Sequence, residues 1–166
     1  MRKLMLGVGV LLAAAMTAAQ AAALPFVVNQ PAAKTAVINL IAGDGSANGG
    51  MNFNGGFKGD KTYVIPFGWK VIVKFRDEGV LAHSAIVIPR LAKLPVVISP
   101  SQAAFPGAFV KNLNQGWSKS QGVYTFSFTA NKAGDFYIAC GVPGHALAGQ
   151  YIDLVISKSA KAASFK

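Results

Sequence analysis

The chain has 166 residues, with 16 Lys and Arg against 6 Asp and Glu (formal net charge +10), 52% apolar residues and one cysteine. That length suits one domain, and a lone cysteine excludes an internal disulfide. The lysines are scattered, with no basic run and no interleaved aromatic platform, which argues against nucleic acid as a partner.

Arg2 and Lys3 precede the uncharged apolar run Leu4 to Met16 and the small-residue tract Thr17 to Ala23. This order predicts a secretory signal over residues 1–23, with Ala19-Gln20-Ala21 or Ala21-Ala22-Ala23 as cleavage sites. A retained membrane anchor is the competing reading, since counting the alanines brings the run near the roughly 20 residues of a spanning helix. In both cases the remainder is exported, to the periplasm or the outer face of the cytoplasmic membrane. Without Arg2 and Lys3 the chain keeps 14 basic and 6 acidic residues, a net charge of +8. So few carboxylates leave little to protonate on acidification, which suggests an acidic exterior as the working environment, as in an acidophile.

Residues 24–35 carry two prolines and no period, and read as a linker or a loose edge strand. The domain proper is expected over 36–157. Ala36 to Ala42 is its first confident strand, rich in β-branched residues. Gly43 to Gly50 is loop, and Met51-Asn52-Phe53-Asn54 alternates apolar with polar before Gly55-Gly56. Lys61 to Pro66 and Trp69 to Phe75 are strands around the turn Pro66-Phe67-Gly68, and Asp77-Glu78-Gly79 is the next turn. Val80 to Ile88 puts His83 at the head of another apolar strand. Pro89 to Gly122 holds four prolines, which exclude a long helix or a central strand; a short helical turn fits near Ser101 to Ala104. Val123 to Ala130 alternates cleanly, and Phe136-Tyr137-Ile138-Ala139 and Tyr151 to Ile156 are the closing strands. The small, basic tail 158–166 is expected to fray. Seven or eight short strands with turn signals and no long helix predict an all-β, single-domain sandwich with Greek-key connections.

Between the last two strands, Cys140, His145 and Gln150 recur at equal spacing in a glycine- and proline-punctuated loop, and His83 is the only other histidine. Each has a plain reading by itself: a buried cysteine as a small hydrophobe, His145 as a surface or capping residue, His83 as a core imidazole. Together they are all the cysteine and histidine of the chain, and a sandwich can bring the strand head beside the loop. Zinc would want four tetrahedral ligands, and no Asp or Glu lies between Cys140 and Gln150. A dinuclear copper centre needs two cysteines. Two histidines and a cysteine in a trigonal plane with one weak axial donor is the blue-copper set.

Cys140-Gly141-Val142-Pro143-Gly144-His145-Ala146, continuing to Gly149-Gln150, resembles the C-terminal copper loop of the cupredoxins. The match is strongest to the sulfocyanin pattern, then to rusticyanin. Asn52-Phe53-Asn54-Gly55, Ile65-Pro66, Gly68-Trp69-Lys70, His83-Ser84 and Phe105-Pro106-Gly107-Ala108 also match the sulfocyanin pattern, so the resemblance covers most of residues 38–156. It implies an eight-stranded cupredoxin sandwich, one type 1 copper bound by His83, Cys140 and His145, and one-electron transfer. Where those relatives usually carry methionine, this chain has Gln150, matching the axial glutamine of stellacyanin-like cupredoxins. The competing reading is that Gln150 points away. The resemblance further implies that Ser84 holds His83 by a hydrogen bond to the copper loop. It also implies that redox proteins, a cytochrome c or a terminal oxidase, dock on an uncharged patch of Val142, Pro143, Ala146, Leu147 and Ala148 around His145. A monomeric electron carrier, tethered or soluble, is the resulting expectation. A copper-delivery protein is the alternative, although the exposed methionines or paired cysteines usual for that task are missing. A copper enzyme is disfavoured because the site region offers no carboxylate except Asp153.

Overall fold

The computed structural model describes residues 25–166; the signal expected over 1–23 lies outside the described residues. Nine strands form two sheets: β1 (Val27–Gln30), β2 (Thr35–Ala42), β4 (Lys70–Asp77) and β6 (Tyr124–Thr129) in one, and β5 (Ile86–Pro89), β7 (Gly134–Ala139), β8 (Tyr151–Ser157), β3 (Thr62–Pro66) and β9 (Ser164–Phe165) in the other. Among the described residues the only helices are four short 3-10 turns, one at Pro100–Gln102 as the proline-bounded segment suggested. The all-β sandwich expected from the sequence is therefore present, with nine strands rather than about eight.

Period-two alternation decides what each strand buries. In β4, Val71, Val73, Phe75 and Asp77 face inward while Lys70 and Lys74 face out. In β8, Ile152, Leu154 and Ile156 face inward. The two inner faces meet in a core that includes Ile38, Leu40, Tyr63, Ile65, Phe105, Phe126 and Phe128. Phe105 packs between Phe128, on which it stacks, and Phe136, tilted at 51° to it, with ring centroids 4.9 Å from each.

The turn at Pro66–Gly68 joins strands of opposite sheets, not a hairpin. β3 pairs in parallel with β8, and β4 pairs in parallel with β2. Gly68 makes the crossing possible: its φ is +82°, favourable only without a side chain, and its amide donates to Ala130 O at 2.8 Å.

Two segments are more ordered than their composition suggests. Residues 27–30, expected as a linker or loose edge strand, are the edge strand β1, in antiparallel register with β2. The tail expected to fray is docked: β9 pairs with β3, Phe165 packs on Tyr63 and Phe26, and Ala163 is buried. Asn29 clasps it from β1, donating from Nδ2 to Ala163 O and accepting from Ala163 N, both at 2.8 Å. A tail of small and basic residues showed no apolar period, because just two side chains, Ala163 and Phe165, do the anchoring.

The proline-rich excursion between β5 and β6 covers the outer face of the five-stranded sheet. Leu94, Ile98 and Leu113 from it pack with Ile86, Ile88, Ala139 and Ala146 in a second cluster. Its backbone also pairs with the free side of β5, through Val87 N to Ala108 O (2.9 Å) and Val110 N to Ala85 O (2.8 Å). A sheet edge that would otherwise expose its hydrogen-bonding groups is thereby covered.

Candidate metal centre

Cys140 and Gln150 extend the inward phases of their strands by one step, Cys140 after Phe136 and Ile138, Gln150 before Ile152 and Leu154. Both side chains are fully buried as a result, and Cys140 N donates to Gln150 O at 3.0 Å, closing the loop at its base. Within the loop, His145 N donates to Val142 O (3.1 Å), Ala148 N to Gly144 O (2.9 Å) and Gln150 N to His145 O (2.9 Å). Gly144 and Gly149 take φ of +84° and +108°, which lets so tight a turn form. His83 shares the inward phase of Ala85 and Val87. Its peptide is held on both sides by Trp117: His83 N donates to Trp117 O (3.1 Å) and Trp117 N to His83 O (2.6 Å). It lies three residues ahead of β5, in an isolated bridge rather than inside the strand.

These elements converge. The Nδ1 atoms of His83 and His145 stand 3.3 Å apart, Cys140 Sγ is 3.7 Å from His145 Nδ1, and the donor atoms of all three residues lie within 4.8 Å of one another. A trigonal ion with bonds of roughly 2.1 Å to imidazole and 2.3 Å to thiolate separates its ligands by about 3.6 to 3.8 Å. The two separations made by His145 Nδ1, 3.3 and 3.7 Å, already stand near those values, and the three donors are soft and borderline groups of the kind copper takes. Gln150 Oε1 lies 3.1 Å from His145 Nδ1, so the amide oxygen faces the same point.

The electrostatics suit a cation with one thiolate. Burial, together with the neighbouring His145, pushes His83 down to about 4, and burial also lowers His145. Both rings are therefore neutral at neutral pH, so each can offer one nitrogen lone pair to a metal without first losing a charge-bearing proton. Burial pushes the Cys140 thiol up to about 11, against the pull of the Ser84 and Val142 amides, so a metal must displace its proton.

Ser84 is the brace between strand head and loop. Its Oγ donates to Leu113 O (2.6 Å) and accepts from Gly141 N (2.9 Å), while its amide points at Cys140 Sγ from 3.4 Å. Asn114 Nδ2 adds bonds to Gly141 O (2.7 Å) and Ile98 O (2.8 Å). Hydrogen-bonded surroundings of this kind fix the orientation of ligands.

The carboxylate beside the site is Asp77, and Asp153 is elsewhere. Asp153 Oδ2 is paired with Arg90 at 2.6 Å on the outer face of β8. Asp77 is 2% exposed, accepts from Gly79 N at 2.8 Å, is pushed up to about 6 chiefly by burial, and its charge adds to the rise at Cys140. A Cβ on Gly79 would stand 2.9 Å from His83 Nε2, so this turn wraps closely over the imidazole. The alternation of β4 was the available signal, since Asp77 falls on the inward phase.

Of the expected patch, Pro143, Leu147 and Ala148 are exposed, Val142 and His145 are half-buried, and Ala146 is core. Exposed Val96 extends it, its carbonyl accepting from Gly144 N at 2.7 Å. Residues 43–59, remote in sequence, also reach the loop. Asn48 Nδ2 donates to Ala148 O (3.2 Å), Lys58 N to Gly149 O (2.8 Å) and Gln150 Nε2 to Asn52 O (3.2 Å). Alternation and the family pattern single out Asn52-Phe53-Asn54-Gly55, but neither points to this contact of Asn52 with Gln150.

A family model described as the sulfocyanin (SoxE) domain matches residues 20–165. A sulfocyanin of Sulfolobus acidocaldarius is 29% identical over 139 residues, covering 78% of this chain and 67% of that one. Auracyanin A, a blue copper protein of Chloroflexus aurantiacus, is 17% identical with a TM-score of 0.50, covering 74% of this chain and 99% of that one, a likeness of fold. Rusticyanin from Thiobacillus ferrooxidans is 18% identical with a TM-score of 0.48, covering 75% of this chain and 82% of that one.

Proposed function

We propose that this chain, which belongs to the sulfocyanin family of cupredoxins, carries single electrons on one type 1 copper held by His83, Cys140, His145 and, axially, the oxygen of Gln150. Cupredoxins of this kind are electron-transfer proteins, not enzymes. The observation that carries the reading is the convergence of two neutral imidazoles, a buried thiol and a buried amide oxygen on one point. Copper supplies a one-electron couple between its divalent and monovalent forms. The chain supplies the rest. Ser84, Asn114 and the Trp117 pairing fix the donors before any metal arrives, so little rearrangement accompanies a change of charge. The buried thiol excludes water, and the half-buried ring of His145 is the part of the centre nearest the surface.

On this reading redox proteins, a cytochrome c or a terminal oxidase, dock on the apolar surface of Pro143, Leu147 and Ala148, outside the cytoplasm. The amino-terminal segment directs export and could also tether the chain. Delivery of copper fits less well, because a fully buried sulfur and amide make poor points of exchange. The test is to load the purified protein with Cu(II) and record visible absorption and electron paramagnetic resonance. An intense thiolate-to-copper band with small parallel hyperfine splitting is expected; a square-planar signal without that band sinks the proposal. An amide oxygen is a harder donor than a thioether and favours the divalent ion, so Gln150→Met is expected to raise the reduction potential. An unchanged potential would remove Gln150 from the ligand set.

A further inference from the structure

Taking Gln150 as the axial donor, we propose that Asn52 is the positioning residue that decides which end of its amide faces the metal. A glutamine amide has an accepting oxygen and a donating nitrogen of nearly the same shape. Gln150 is fully buried, so its partners alone choose between them. The partner at one end is the Asn52 backbone carbonyl, which can only accept. It selects the Nε2 end at 3.2 Å, and Oε1 is left facing the histidines, 3.1 Å from His145 Nδ1. The same carbonyl accepts from Gly43 N at 3.2 Å, so both its lone pairs are used.

That carbonyl is held by the Asn52 side chain, itself fully buried. Oδ1 accepts from Asp44 N and Gly55 N, each at 3.1 Å, and Nδ2 donates to Ala47 O at 2.9 Å. Three bonds from one residue thus brace the whole connection from β2 to Gly55. Few other residue types could supply an acceptor for two amides and a donor at once. This gives the Asn52-Phe53-Asn54-Gly55 motif a task that alternation alone did not reveal.

The test is a cycle of four full-length proteins: wild type, Asn52→Ala, Gln150→Met and the double variant, each assayed for Cu(II) affinity, visible bands and parallel hyperfine splitting. Asn52→Ala is expected to shift the spectra and lower affinity by about 10- to 100-fold in the wild-type background. In the Gln150→Met background, with no amide to orient, it is expected to shift the spectra little and lower affinity far less. Equal effects in both backgrounds would reduce Asn52 to a stability role and overturn the proposal. If Gln150→Met alone changes neither spectra nor potential, the axial reading itself fails, a different result from the first. A measurement without any variant covers poor folding of Asn52→Ala. In labelled metal-free protein, the Gln150 amide protons are expected to show Overhauser contacts to the Gly43 amide proton, since both donate to one carbonyl. Contacts to the His145 ring instead would overturn the assignment.

Discussion

Replacing Ser84 by Ala strips two buried backbone groups of their partners at once. Gly141 N loses its acceptor at 2.9 Å and Leu113 O its donor at 2.6 Å, in a site where Ser84 is fully buried. A buried polar group left without a partner costs about 1–3 kcal/mol. Two such groups put the loss at roughly 2–6 kcal/mol, a large share of the stability of a domain this size. At about 2–4 °C per kcal/mol, the metal-free protein should melt about 10 °C lower. Urea and thermal unfolding of the metal-free variant measure this directly, with the exposed Ser120→Ala as a control expected to change nothing. A loss below about 0.5 kcal/mol would refute the reasoning, because it would mean that the pair is satisfied some other way.

At pH 8 both histidines are neutral and Cys140 retains its proton, so copper uptake should release one proton per ion; an indicator dye in weak buffer reads it, and a value near zero would contradict the buried thiol. Asp77 has a folded value of about 6, above its unfolded 3.8, so its favourable contribution is full below about 3.8 and is lost as pH rises through 6. Asp77→Asn should therefore stabilise the metal-free protein at pH 7.5, by up to about 3 kcal/mol, with the gain shrinking towards pH 4. A gain independent of pH, in denaturant titrations at both values, would argue against a strained carboxylate. Gly141→Ala would set a Cβ 2.3 Å from Leu113 Cγ, an overpacking cost of about 1–3 kcal/mol. Leu113→Ala in the same chain should recover part of that loss, and additive losses would rule out the contact as its cause.

The site was legible because of scarcity: one cysteine and two histidines leave no second choice of soft ligands, and their spacing around a turn names the loop. The inward placement of Gln150 was legible too, since it shares parity with Ile152, Leu154 and Ile156. What escaped is what depends on tertiary partners. Asn52 acts through its backbone carbonyl on a remote segment, and nothing in its local sequence names Gln150 as the other end; the bond of Ser84 to the copper loop was expected from the resemblance, but its second bond, to Leu113 O, was not. Asp77 escaped because a carboxylate beside Glu78 and Gly79 reads as turn chemistry, although the β4 alternation carries it inward. The fold class followed from alternation and turns; the edge strand β1 was one of two readings left open for residues 24–35, and the docked tail was not expected. Both are short and mostly exposed, and their order comes from one side-chain clasp and two aromatic contacts.

The clasp between Asn29 and Ala163 joins residues 134 positions apart, and β3 finds its parallel partner only in β8. During synthesis, β3 waits for a strand that ends at Ser157 and for a cap that ends at Phe165. On the proposed ligand set, three of the four donors lie at residue 140 or later, so a chain shorter than 140 residues holds His83 alone. Pairings between distant segments form late, after loop closure has been met. A chain shorter than 150 residues therefore lacks the complete proposed set, and the pairings that would position it come later still.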